Sequence, residues 1–127
     1  MANSKTYGLR HLANAVNDIE RTMHFYQEVF GMQTMYNEER FIQLTTPGCR
    51  DILVFEEKQS NEIGTTGGIA HSGLRSKDPK DIDEIVESVE RAGGTIIDRG
   101  EFLPGSPHVF FKDLDGYEVE VWYELLQ

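Results

Sequence analysis

The hydrophobic pattern along this chain changes period twice, in the same order each time. From Asp18 to Phe30, the residues Ile19, Met23, Tyr26 and Phe30 recur at spacings of four, three and four, as on one face of a helix. Asp18 is suited to cap that helix and Gly31 to stop it. From Asp81 to Ala92 a second stripe runs through Ile82, Ile85, Val86 and Val89. Here Asp81 and Glu84 stand at capping-box spacing, and Gly93 and Gly94 follow. Elsewhere the apolar residues come in short alternating or continuous runs, which predicts strands. Residues 7–16 precede the first helix, and residues 69–76 precede the second. FIQLTT (41–46) and DILVFEE (51–57) follow the first helix, parted by PGC, with a weaker strand over 33–38. TIIDRG (95–100), HVFFKD (108–113) and YEVEVWYE (117–124) follow the second, with LDG as the last turn.

Each half therefore reads strand–helix–strand–strand–strand, an internal duplication of about 60 residues. The polar, glycine-bearing stretch SNEIGTTGG lies between the halves. One such unit covers only one face of its sheet, so two units are expected to pair. The expected fold class is α+β: two tandem βαβββ modules whose curved mixed sheets surround a cavity, with helices on the outside. Residues 1–127 form one domain, with module one at about 7–57, a linker at about 58–67 and module two at about 68–124.

Composition narrows the partners. Asp and Glu total 22 against 12 Lys and Arg, a formal charge of −10, which suits neither nucleic acid nor an anionic membrane. No apolar run is long enough to span a bilayer. MANSKTYG holds no apolar signal core, and the lone Cys49 fits a reducing compartment, so the expected location is the cytoplasm.

The duplication also repeats a phrase. RHLANAVND (10–18) and AHSGLRSKD (70–78) each place a His second and an Asp seven residues after it. Strand alternation puts His11 on a face with Leu9, Ala13 and Ala15, and His71 on the matching face with Ile69, Gly73 and Arg75. In the final strand Val119 and Val121 take the helix side, which turns Glu118, Glu120 and Trp122 toward the cavity. Two imidazoles and a carboxylate are the ingredients of a facial metal triad, with positions open for substrate. His11, His71 and Glu120 are thus the candidate metal ligands. Glu120 and His108 are the candidate catalytic groups. His108 shares a face with Phe110 and reads either as an acid or base at the cavity mouth or as a solvent-facing residue after a turn. Trp122, Phe110 and Phe41 offer an apolar wall, and Arg75 a site for an anionic substrate group.

With HLANAVNDIERTMHFYQEVFGM (11–32), GIAHSGLRSKD (68–78) and KDLDGYEVEVW (112–122), the chain resembles the vicinal oxygen chelate superfamily over about residues 7–124. That superfamily includes glyoxalase I, extradiol dioxygenases, fosfomycin-resistance enzymes and bleomycin-resistance proteins. The resemblance implies a divalent transition metal (Fe, Mn, Ni, Zn or Co) that chelates two adjacent oxygens of a small organic substrate. It implies glyoxalase-type lyase or isomerase chemistry, or dioxygenase-like chemistry. The alternative is a metal-free, bleomycin-resistance-like protein that sequesters a small ligand between subunits. A homodimer is also implied, with the ligands drawn either from one chain or from two.

Some positions depart from the resemblance. Glyoxalase I takes a fourth ligand from the last strand of its first module, where Val54 stands here. Glu56 lies two residues on, about 6.5 Å along the strand, so the fourth ligand is either missing, leaving a three-ligand set, or shifted to Glu56. The Arg that glyoxalase I places four residues after its first His is Ala15, with Arg75 at the symmetric place. Extradiol enzymes carry a Tyr ten residues before the Glu ligand, and Phe110 occupies that position.

Overall fold

The computed structural model describes residues 4–125. Module one runs β1 (His11–Val16), α1 (Ile19–Phe30), β2 (Gln33–Glu38), β3 (Phe41–Thr45) and β4 (Ile52–Glu57). Module two repeats it as β5 (Ser72–Arg75), α2 (Asp81–Arg91), β6 (Thr95–Leu103), β7 (Ser106–Lys112) and β8 (Glu118–Trp122). The sheets have matching orders, β1-β4-β3-β2 and β5-β8-β7-β6, and each first strand pairs in parallel with the module's last. The two βαβββ modules thus have the α+β class that the periodicity predicts. β1 and β5 are both edge strands.

The local signals act as expected in α1 and differ in α2. Asp18 is extended, and its side chain accepts a hydrogen bond from Arg21 N; Gly31 closes the helix at φ 65°, where a side chain is disfavoured. The buried face is Ile19, Thr22, Phe25, Tyr26 and Val29, rotated from the predicted stripe so that Met23 and Phe30 are only partly buried. Packing explains the rotation, because α1 serves both modules. Tyr26 meets Phe55 of β4, while Phe25 and Phe30 meet Phe111 of β7. The expected capping box at Asp81 is not formed. Lys80 holds the cap position, and Asp78 turns the chain into the helix by accepting from the Lys80 and Asp81 amides.

The helices pack on each other and on both sheets around one shared core, so each sheet turns its other face away from them. Gly94 lies at this seam. A Cβ there would sit 2.7 Å from Val89 Cγ1, 2.9 Å from Lys112 O and 3.0 Å from Phe25 Cε1. Gly94→Ala is expected to cost about 1–3 kcal/mol through overpacking, read as a lower urea midpoint at unchanged slope.

The KDLDG turn between β7 and β8 locks the modules together. Asp115 accepts from Asn17 N, Asn17 Nδ2, Arg21 Nη2 and Thr22 Oγ1, all from module one. Asp113 accepts from the Asp115, Gly116 and Tyr117 amides and, at 2.7 Å, from Tyr26 Oη. Tyr117 Oη donates to Ala15 O at 2.7 Å. The linker closes over this turn at Gly64, whose Cβ would fall 2.1 Å from Asp115 O.

Burial pushes the Asp113 carboxyl above its ordinary value, while the bonds from Tyr26 and the turn amides oppose that rise. The folded chain therefore holds this proton more tightly than the unfolded chain does. Its contribution is full below the ordinary carboxylate value, about 4, and is lost as pH climbs through the raised value. Asp113→Asn keeps an acceptor oxygen for the turn and removes the titration. The stability of this variant relative to wild type is expected to rise with pH across that window, measured by urea denaturation at each pH.

Candidate functional site

The open face of module two gathers the residues that the alternation assigns to it. β8 presents Glu118, Glu120 and Trp122 there, since Val119 and Val121 are buried against the helix side. Glu120 pairs with Gly73 of β5 on one side and Phe110 of β7 on the other; Trp122 pairs with Arg75 and His108. His71 lies just before β5, its Nε2 3.9 Å from Glu120 Oε1 and its ring edge-on to Phe110 at 5.2 Å.

The Glu120 side chain is 16% exposed and receives no hydrogen bond from any described residue, so its charge has no partner except the His71 ring. A Cβ on Gly73 would stand 3.3 Å from Glu120 Oε1, so the glycine lets the carboxylate lie close against β5. An imidazole and a hard carboxylate side by side suit a divalent transition metal. These two donors make half a site that fits such an ion.

The third candidate donor lies elsewhere. His11 is on the open face of module one, and no group of three His, Cys, Asp or Glu side chains among the described residues is close enough together to hold a metal. The open faces both point away from the helices, so the fold of one chain does not bring His11 to His71 and Glu120. The registers also place the last candidate. Ala13 pairs with Val54 as Gly73 pairs with Glu120, so Val54 stands at the position matching Glu120. Glu56 pairs with Ala15, matching Trp122, and its carboxylate faces Lys58 at 3.4 Å.

The apolar wall forms in module two from Phe110, Trp122 and Phe102, the Phe102 ring lying 5.6 Å from Trp122 and 6.5 Å from Phe110. Phe41 faces Tyr36 in module one. His108 belongs to the wall: its side chain is 7% exposed, which removes the solvent-facing alternative. Phe102 stacks on it at 3.9 Å, and Asp98 Oδ2 is 3.5 Å from its Nε2. Sequence reasoning missed Phe102, Asp98 and Ser106. Ser106 Oγ accepts from Trp122 Nε1 at 2.6 Å and fixes that indole. Strand alternation could have placed Asp98, but a bulge at Ile97 shifts the phase there. Arg75 is largely exposed, 3.6 Å from Glu124.

Comparison with known proteins agrees with this architecture. A family model described as Glyoxalase/Bleomycin resistance protein/Dioxygenase superfamily matches residues 8–121. A probable lactoylglutathione lyase of Vibrio parahaemolyticus is 31% identical, the match covering 87% of this chain and 86% of that protein. Lactoylglutathione lyase GLX1 of Arabidopsis thaliana is 29% identical over 87% of this chain, which spans 42% of that relative's length. Among solved structures, the fosfomycin resistance protein FosX of Listeria monocytogenes shares the fold with a TM-score of 0.78 at 20% identity, covering 95% of this chain and 96% of that one. That protein has been crystallised in complex with Mn(II) and sulfate ion. The duplicated βαβββ architecture and the family match over residues 8–121 lead to one conclusion: the chain belongs to the glyoxalase/bleomycin resistance/dioxygenase superfamily.

Proposed function

We propose that this protein is a metal-dependent lyase or isomerase of the glyoxalase type, acting on a small substrate with two adjacent oxygens. The observation that carries this reading is the His71–Glu120 pair, 3.9 Å apart, with the carboxylate lying against Gly73. The relatives named lactoylglutathione lyase support the reaction class. A metal-free sequestering protein is not favoured, because a pure binder has no use for an otherwise unpartnered carboxylate beside an imidazole.

The metal would be held by His71 and Glu120 of one chain and His11 of a second. When bound, it would supply Lewis-acid polarisation of the substrate oxygens. Glu120 would anchor one side of the site, and Phe110 beside it would exclude water. Trp122 would hold the apolar part of the substrate, and Arg75, by turning from Glu124, would meet an anionic end. His108 would serve as a further polar contact in the wall.

The second chain is part of the proposal. β1 and β5 are unpaired edges, and the apolar residues just before them, Tyr7, Leu9 and Ile69, are strongly exposed. A homodimer that sets the open face of one module against the other module of its partner would cover these residues and bring His11 to the half site.

Metal content and turnover test the reading together. The dialysed protein is expected to retain about one Ni, Zn, Co, Mn or Fe ion per chain, and the loaded form to convert the hemithioacetal of methylglyoxal and glutathione. His71→Ala should lower metal affinity by more than about 100-fold, since even outer-shell partners of metal ligands account for 10–100-fold. Wild-type protein that stays metal-free after exposure to each of these ions would overturn the proposal.

A further inference from the structure

We infer that His108, oriented by Asp98 and covered by Phe102, is a ligand-anchoring residue that accepts a hydrogen bond from a hydroxyl of the bound small molecule. The inference deepens the reading of the module-two face as the ligand face, and so rests on it. It starts from an unmet bond. His108 Nδ1 is buried and has no hydrogen-bond partner among the described residues. Buried polar atoms are almost always paired, and one that is not calls for an explanation.

The surroundings supply one. His108 Nε2 faces Asp98 Oδ2 at 3.5 Å, so the single proton of a neutral ring is best placed on Nε2. Nδ1 is then a bare lone pair, ready for a donor that the chain does not provide. The ring lies over Gly100, its cross-strand partner, where a Cβ would stand 3.4 Å from His108 Cε1. The cross-strand neighbour Trp122 is held by Ser106, and Phe110 stands 5.5 Å away at 74°.

Phe102 completes the arrangement in a less fixed way. The pairing of β6 with β7 slips between Glu101 and Leu103, which makes Phe102 the extra residue of a bulge. Bulges re-aim side chains and are common beside functional sites. This one lays the ring on the His108 imidazole at 3.9 Å and 13°, although the residue is 50% exposed. Phe102 is therefore a cover held by one stacking contact and two edge contacts, while the histidine beneath it is fixed. A ligand can displace Phe102 and pack a flat apolar group against Phe110 and Trp122, with its hydroxyl donating to Nδ1 in the plane of the imidazole, where the lone pair lies. The ligand class is a small molecule that presents an O–H donor on or next to a flat apolar group. Glu120 lies two residues along β8 from Trp122, the cross-strand partner of His108, so the carboxylate and the histidine share one sheet face.

Nitrogen-15 NMR of the histidine rings in metal-free protein at neutral pH tests this, with phenol as the probe and toluene as the matched ring without a donor. Wild type is expected to show His108 as the Nε2–H form. Phenol should move its Nδ1 resonance toward the position of a hydrogen-bonded nitrogen, toluene should not, and Phe102→Ala should need less phenol for the same shift. Asp98→Ala, which leaves no acceptor there, should spread the proton over both nitrogens. The inference is overturned if phenol leaves Nδ1 unmoved in both wild type and Phe102→Ala, or if toluene moves it equally. An unchanged tautomer in Asp98→Ala removes Asp98 from the proposal. Because the spectra need no metal, a failure of metal binding and a failure at His108 are separately visible.

Discussion

Mixing two variants that each fail to bind metal, His11→Ala and Glu120→Gln, is expected to restore about a quarter of the wild-type metal sites after the subunits exchange. The figure follows from the proposed symmetry. Random exchange makes about half of the dimers mixed, and each mixed dimer contains one site with both substitutions and one with neither. The intact site takes His11 from the Glu120→Gln chain, and His71 with Glu120 from the His11→Ala chain. Each variant alone should lose affinity by more than about 100-fold, because a donor bound directly to the ion counts for more than its outer-shell support. Were all three ligands drawn from one chain, every chain in the mixture would remain defective and no sites would return. The placement of His11 and His71 on open faces that both turn away from the helices motivates the expectation. Metal bound per chain, measured before and after mixing, decides between the two outcomes.

The second large effect concerns folding. Asp115→Ala is expected to destabilise the chain by about 3 kcal/mol. The Asp115 side chain is 1% exposed and gathers two groups of Asn17, the Arg21 guanidinium and the Thr22 hydroxyl. Deleting it leaves the part-buried Thr22 hydroxyl and the Asn17 donors without their acceptor. Arg21, 44% exposed, recovers much of its loss from water, so its ion pair adds little. Asp115→Asn keeps one acceptor oxygen and should cost about half as much. Urea denaturation measures both, and a loss below about 1 kcal/mol for Asp115→Ala would show that the modules are held by their apolar seam alone.

Several features were legible in the sequence because they depend on near neighbours. Asp18 and Gly31 act on the helix they flank, and the alternation around Glu120 follows from two buried valines. The offset of Glu56 from the position matching Glu120 was also readable, because the duplication supplies its own ruler: aligning the modules puts Val54 there, and the strand registers agree. The α1 stripe was read less well. A 3.6-residue period identifies a buried face, but the packing of α1 against two modules selected Phe25 and Val29 over Met23 and Phe30.

By itself, then, the sequence determined the two βαβββ units, the caps of α1 and the faces of the unbulged strands, since hydrophobic period and capping chemistry are local. Only the tertiary structure decided how the units meet. Asp113 and Asp115 reach about 90 residues back to Tyr26, Thr22, Arg21 and Asn17. That seam turns both open faces away from the helices and separates His11 from His71. The same applies to His108. Its burial depends on Phe102, and the ring of Phe102 reaches it only through a slip in strand register that no periodicity announces. Contacts between distant segments depend on packing, and packing is not periodic along the chain.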